Sequence, residues 1–221
     1  MNMRFFLLRV VVLWAALVLP VAAAAGSSAS LKPAQVVLET SLGDIVVQVY
    51  HDRAPRTAAY FLGLVDRGDY DGASFYRAGV PLGADVDGPE LIQGGVMYGF
   101  IAGPGPASVA DLGLRLLERI ETTEETGLKH RFATVSFARD LWESGQVIPE
   151  IFICLGDLPS LDFDGRSKPD NQGFPAFATV IEGMDTVRKI TDLETGGTTR
   201  FEAVSDQILA EPVLILKAYR R

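Results

Sequence analysis

Ser74-Phe75-Tyr76-Arg77, then a Gly/Asp/Pro-rich excursion, then Glu90-Leu91-Ile92-Gln93-Gly94-Gly95: this stretch decides how the chain is read. Two short apolar segments flank a loop. One carries a guanidinium, Arg77, and the other a neutral amide, Gln93, with no nucleophile and no metal-ligand set between them. That combination suits holding and polarising a peptide rather than cutting it.

Upstream, Val36-Val37-Leu38, the turn Thr40-Ser41-Leu42-Gly43 and the run Ile45 to Tyr50 give a hairpin signal. From Ala54 the period changes: Ala58, Phe61, Leu62 and Val65 recur at helical spacing, Pro55 suits the first turn, and Asp52 is the candidate N-cap. Downstream, Val109, Leu112, Leu116, Leu117 and Ile120 predict one amphipathic helical face within an insertion over 102–129, and Glu121 to Gly127 reads as a solvated acidic run. Strand-like runs follow at Ala133 to Ala138, Ile151 to Leu155, Phe174 to Ile181 and Val213 to Tyr219, with a helix at Met184 to Leu193. Seven or more short strands with two or three helices argue for a mainly antiparallel barrel or sandwich.

With 221 residues, 48% of them hydrophobic and 22% charged, the chain has material for one core. The first 25 residues read as a cleaved secretory signal: basic Arg4, an apolar stretch from Val10 to Val21, and small residues Ala22 to Ala25. An uncleaved membrane anchor is the competing reading. A flexible tether is expected over 26–34, and the folded domain over 35–221. Without Arg4 and Arg9 the chain carries 18 basic and 28 acidic residues, a formal −10, which disfavours nucleic acid and anionic membrane as partners. Cys154, the one cysteine, cannot form an internal disulfide, and its apolar neighbours predict a buried strand thiol.

His51 and His130, the two histidines, both lie in polar, turn-like sequence and read as surface residues, which argues against a Ser/His/Asp hydrolase. No His/Cys cluster has metal spacing, and no Gly-x-Gly-x-x-Gly stands between a strand and a helix. Neither metal nor cofactor is expected.

From Val36 to about Tyr219 the chain resembles the cyclophilin family of peptidyl-prolyl isomerases. The matching pieces come in the family's order: Thr40 to Ile45, Ala54-Pro55-Arg56-Thr57, Gly68 to Gly72, Phe75-Tyr76-Arg77, Ile92 to Gly95, Val135 to Arg139, Ile151 to Cys154, Leu161-Asp162, and Phe177 through Asp185. The resemblance implies a closed eight-stranded antiparallel barrel capped by two helices, and an isomerase of X-Pro bonds acting on Pro-containing segments. Because the N-terminal signal points to export, the clients expected are exported proteins, in the periplasm or outside the cell. A monomer is expected, with no stable membrane insertion after processing. By the same resemblance Arg77 is the catalytic arginine and Gln93 grips substrate backbone. Leu91, Phe152, Leu161 and Phe174, with Phe137 nearby, form the apolar floor for the proline ring. The chain departs from the family's pattern at Glu90, at Glu150 in a glutamine position, at Ser160 where tryptophan is common, and at Phe174 in a histidine position. Glu90 is expected either to swing into water or to pair with a cation such as Arg77, and two acids beside the groove predict a preference for basic residues next to proline. The alternative reading is a catalytically weak cyclophilin-fold module that binds Pro-containing or unfolded segments as a chaperone.

Overall fold

The computed structural model describes residues 33–81, 88–103, 108–141, 144–165 and 170–221. The segment over 1–25 expected to be a signal, most of the expected tether, the middle of the loop between Arg77 and Gln93, and the prolines of the Gly103-Pro104-Gly105-Pro106 breaker lie outside the described residues. Ala34, placed at the end of the expected tether, already pairs in the first strand.

Strands β1 (Ala34–Thr40) and β2 (Gly43–Val49) form the expected hairpin. They are followed by α1 (Pro55–Asp66), β3 (Ser74–Gly79), β4 (Leu91–Gly95), α2 (Tyr98–Ala102) and α3 (Thr123–Thr126). Then come β5 (Thr134–Arg139), β6 (Val147–Cys154), β7 (Ala176–Glu182), α4 (Met184–Thr191) and β8 (Ile208–Arg220). The eight strands close into an antiparallel barrel in the order β1-β2-β7-β5-β6-β4-β3-β8, with β8 returning to β1. Closure removes the unpaired edge that a strand would otherwise offer to another chain.

Alternation along the strands divides the side chains between two environments. Val36, Leu38, Ile45, Val47, Ile92, Val135, Ile151 and Ile153 point into one continuous core. Helix α1 adds Phe61, whose ring packs on Phe177 with centroids 4.9 Å apart. Phe137 belongs here too. It stacks on Phe177 at 4.8 Å and is fully buried inside the barrel, so the expectation that it helps floor the substrate pocket is corrected. Its neighbour Ala138 faces the pocket instead.

Several strand boundaries and two local motifs differ from the expectations. Strand β8 begins five residues before Val213, at Ile208, although Pro212 removes a ladder donor. The proline is tolerated because the register with β3 shifts there: Arg77 pairs with Ile208 but Phe75 with Val213. Strand β6 likewise begins at Val147, ahead of Ile151. The insertion does not form the long amphipathic helix. Ala110–Leu112 make one 3₁₀ turn that ends at Gly113 in the left-handed region (φ 64°), and Leu117 then bridges Val147 as extended backbone. The apolar residues of that stretch serve two clusters: Val109 packs with Met97, Phe100 and Ile148, whereas Ile120 joins the barrel core.

Asp52 does not cap α1. The N-cap residue is Ala54, which offers no side-chain acceptor. The first-turn amides are served from the insertion, where Glu121 accepts from Arg56 N at 3.2 Å and from Thr57 N at 2.8 Å, and also from the Thr57 hydroxyl at 2.9 Å. A carboxylate at a helix N-terminus both satisfies orphan donors and faces the positive end of the dipole. Glu121, expected in solvent, is therefore buried. The segment continues into α3, closed by a capping box between Thr122 and Glu125. Glu121→Ala is expected to cost about 1–3 kcal/mol in urea unfolding, from lost capping and unsatisfied amides. Glu124→Ala, at an exposed position three residues on, serves as the control and should change stability little.

Candidate active site

The site lies on the outward faces of β3, β4, β5 and β6, and a β-bulge on β3 helps determine what points into it. On β3 the pairing with β4 jumps from Phe75↔Gly94 to Arg77↔Gln93. Between β5 and β6 the pairing jumps from Phe137↔Ile151 to Arg139↔Val147, so the extra residues there lie on β6. A bulge lets two successive residues face the same side. Thus Tyr76 and Arg77 both line the cavity from β3; Ala138 and Arg139 line it from the end of β5. The adjacent glycines are required by space. A Cβ on Gly94 would stand 2.3 Å from Ser74 O, and one on Gly95 would stand 2.5 Å from a carboxylate oxygen of Glu150.

Arg77 is buried, with 8% exposure, and is held by oxygens on three sides. Nη1 donates to Gln93 Oε1 at 2.7 Å, Nη2 to the Val80 carbonyl at 2.5 Å, and Nε and Nη2 both donate to Gln207 Oε1, at 3.0 and 2.7 Å. A guanidinium has five N–H donors in a fixed fork. These four bonds leave one N–H on Nη1 to turn toward a ligand. Burial draws Arg77 down to about 10, partly offset by Tyr76 and Asp206, so it remains a cation at neutral pH. Glu90 is not its partner. That residue is half-buried, lies outside the cavity lining, and uses its backbone to pair with Gly79 and Leu155.

Beside the guanidinium is a cavity of about 270 Å³. Leu91, Phe152, Leu161 and Phe174 line it, all buried and packed into a single apolar cluster, with Phe174 set edge-on to Phe152 at 5.6 Å. The cavity continues past Arg77 along Met97, Phe100, Ile101 and Val109 to Phe201 and Val204, residues that the sequence reading did not single out. Its charged lining residues among those described are Arg77, Arg139, Arg200 and one acid, Asp140. Arg139 is committed to Asp170 and to the carbonyls of Gly145 and Gly173. The expected pair of acids beside the groove is absent from this lining, which removes the physical basis for favouring basic peptides. Ser160, at the position where the family often carries tryptophan, is exposed and outside the lining.

Behind the cavity are two buried polar groups. His130, expected at the surface, is 1% exposed, and its ring stacks on Phe152 with centroids 5.6 Å apart. Its Nδ1 is 2.8 Å from Asp162 Oδ1 and its Nε2 is 3.1 Å from Ser136 Oγ. Burial lowers His130 below its usual value despite the carboxylate. Burial raises Asp162, but its hydrogen bonds from His130 outweigh this and the net shift is downward. Both directions describe a neutral imidazole that donates Nδ1–H to an ionised carboxylate and accepts the Ser136 hydroxyl. The three residue types of a hydrolytic triad are present, but Ser136 is fully buried and out of a substrate's reach, so they act as packing behind Phe152.

Glu150 is the second group. It is fully buried, accepts Tyr76 O–H at 2.6 Å and Met97 N–H at 2.8 Å, and is pushed up to about 7 by burial against those hydrogen bonds. Cys154 is buried as expected, and burial raises its thiol far above the usual range, which leaves it unreactive.

Residues 35–218 match the family described as cyclophilin type peptidyl-prolyl cis-trans isomerase/CLD. The chain belongs to that family. It is 31% identical to peptidyl-prolyl cis-trans isomerase B of Escherichia coli over 81% of this chain and 98% of the relative. It is also 31% identical to a peptidyl-prolyl cis-trans isomerase of Streptomyces antibioticus, over 83% of this chain and 96% of the relative. A solved cyclophilin from Cryptosporidium parvum, crystallised in the presence of the dipeptide Ala-Pro, shares the fold with a TM-score of 0.58 at 19% identity, over 85% of this chain and 98% of that one. The closed barrel expected of a cyclophilin is the fold observed. Gln207 is the contact that sequence reasoning missed, because it approaches Arg77 from 130 residues away and carries no motif.

The elevated Glu150 value has a consequence for stability. A carboxyl raised from 4.5 to about 7 in the folded chain binds its proton more tightly there than when unfolded. Its contribution is favourable below pH 4.5 and is lost as pH rises through 7. Wild type is therefore expected to lose about 2–3 kcal/mol relative to Glu150→Gln between roughly pH 5 and pH 8. Paired urea titrations at the two pH values measure that difference.

Proposed function

We propose that this cyclophilin accelerates rotation about X-Pro bonds in exported proteins, with Arg77 as the catalytic residue. The observation that carries the reading is a buried, fully clamped guanidinium with one N–H to spare, beside an apolar cavity large enough for a proline ring. The uncatalysed barrier is about 18–20 kcal/mol because resonance keeps the amide planar, and rotation removes that resonance. A site that binds the twisted amide better than either planar isomer therefore speeds exchange without breaking a bond. The pyrrolidine ring enters against Phe152, Leu161, Leu91 and Phe174. Arg77 donates its remaining N–H to the prolyl segment, where it favours a nitrogen that has become pyramidal, and the half-buried Gln93 offers an amide N–H to substrate backbone. Because the clamp is already assembled, no reorganisation is needed as the amide twists.

Export rests on the N-terminal pattern of Arg4, the apolar Val10 to Val21 and Ala22 to Ala25. The binding-only alternative drew on Glu90, Glu150 and Phe174. Glu90 is outside the cavity, Glu150 is sealed behind it, and Phe174 adds apolar surface suited to proline, so the catalytic reading is the stronger.

Exchange spectroscopy on a short Ala-Pro peptide tests the activity. Wild type should raise the cis/trans exchange rate, and Arg77→Ala should lower kcat/KM by about a hundredfold or more. A wild type no faster than the variant would leave only peptide binding. For export, the mature protein recovered after expression in a bacterial host with its native N-terminus should begin near residue 26. An intact N-terminus in the membrane fraction would instead make the segment an anchor.

A further inference from the structure

Glu150 touches no cavity surface, yet a single line of hydrogen bonds joins it to the clamp. Arg77 Nη1 donates to Gln93 Oε1 at 2.7 Å, Gln93 Nε2 donates to Tyr76 Oη at 3.4 Å, and Tyr76 O–H donates to Glu150 Oε2 at 2.6 Å. Every donor points the same way. An ionised carboxylate only accepts, so it draws the Tyr76 hydrogen toward itself. The Tyr76 lone pairs are then open to the Gln93 NH2, and the Gln93 oxygen is turned to Arg77.

A proton on the carboxylate reverses this order. Glu150 Oε1 faces the Met97 N–H at 2.8 Å, so the proton resides on Oε2 and is donated to Tyr76. The Tyr76 hydrogen must then point to Gln93, which can accept only with its oxygen. The amide rotates, and its NH2 meets Arg77 Nη1 donor to donor. We infer that Glu150 is a positioning residue whose ionised carboxylate aligns Gln93 and Arg77 through Tyr76, so that turnover falls as Glu150 takes up a proton.

The surroundings favour such a switch. Tyr76 on β3 bonds Glu150 directly, and the carboxylate in turn bears on Tyr60 of α1 and on Tyr70 just beyond it. Burial raises all three, so they stay neutral while Glu150 titrates. The segment entering α2 contributes only the backbone N–H groups of Val96 and Met97. Arg77 is the cation of the network and acts on Glu150 through Tyr76 and Gln93. His130 lies on the far side of Phe152, bound to Asp162 and Ser136. Burial brings Glu150 to about 7, within the working range of an exchange assay.

The test uses the full chain and rests on the isomerase reading only for its activity arm. Ala-Pro exchange is followed from about pH 5.5 to about 8.5 in wild type, Glu150→Gln and Tyr76→Phe. Wild-type kcat/KM is expected to fall about tenfold toward low pH with a midpoint near 7, and both variants should give flat profiles. A flat wild-type profile overturns the proposal, and so does an inflection that survives in Glu150→Gln, which would point to another group such as His130. The Gln93 side-chain amide and Arg77 Nε–H resonances of 15N-labelled protein give a readout independent of turnover. They should titrate with the same midpoint in wild type and not in Glu150→Gln, and resonances that do not titrate in wild type also overturn it. If exchange is not accelerated at any pH the isomerase reading fails, while this titration still decides the relay. Should Glu150→Gln not fold, Tyr76→Phe keeps the ring packing, removes one oxygen, and carries the comparison.

Discussion

Burying the Arg77 charge is the constraint around which the site is built. An enclosed guanidinium is tolerated only where oxygens replace the water it has lost. Those oxygens come from three parts of the chain: Gln93 on the neighbouring strand, the Val80 carbonyl just after β3, and Gln207 immediately before β8. Closing the barrel brings the three together, since β3 is flanked by β4 on one side and β8 on the other. The fold thus supplies an orientation for the fork that no local motif could provide. Gln207 also accepts the Val80 N–H at 3.1 Å, so one amide oxygen fixes both the guanidinium and the start of the loop beyond it.

The apolar half of the site has its own support. Phe152 presents one side to the cavity, while the His130 ring lies against it at 16° from parallel. His130 is anchored by Asp162, which follows Leu161 of the cavity lining, and by Ser136, which precedes the Phe137 of the barrel core. Polar groups that are fully satisfied can rigidify a site that apolar packing alone would leave adaptable. One imidazole therefore ties the floor of the cavity to both the loop carrying Leu161 and strand β5.

Much of this was legible in the sequence, for reasons that can be stated residue by residue. The β1–β2 hairpin, α1 and α4 declare themselves through period and turn chemistry, and Arg77, Gln93, Leu91, Phe152, Leu161 and Phe174 converge as the family resemblance implies. Phe137 was misplaced because parity along a strand is invisible when its neighbours are all apolar or small. The bulge on β3 makes parity harder still to read there, because it shifts the alternation within one strand. His130 and Glu121 were assigned to solvent from polar neighbours, but both are buried, and Asp162 for His130 and the Thr57 amide of α1 for Glu121 lie 32 and 64 residues away along the chain. The leucines of the insertion kept helical spacing without making a helix, since their partners lie in two different clusters.

The Glu121 cap bears on how the chain acquires its structure. The amides of Arg56 and Thr57 find their acceptor 65 and 64 residues further on. While α1 has formed but the insertion has not yet docked, water must serve that first turn, and the loop to be closed carries the entropy of more than sixty residues. Long-range contacts of this kind slow folding more than they alter the final stability. A helix that looks local in sequence is thus completed by a contact that spans more than sixty residues of chain. Its first turn reports whether the distant insertion has arrived.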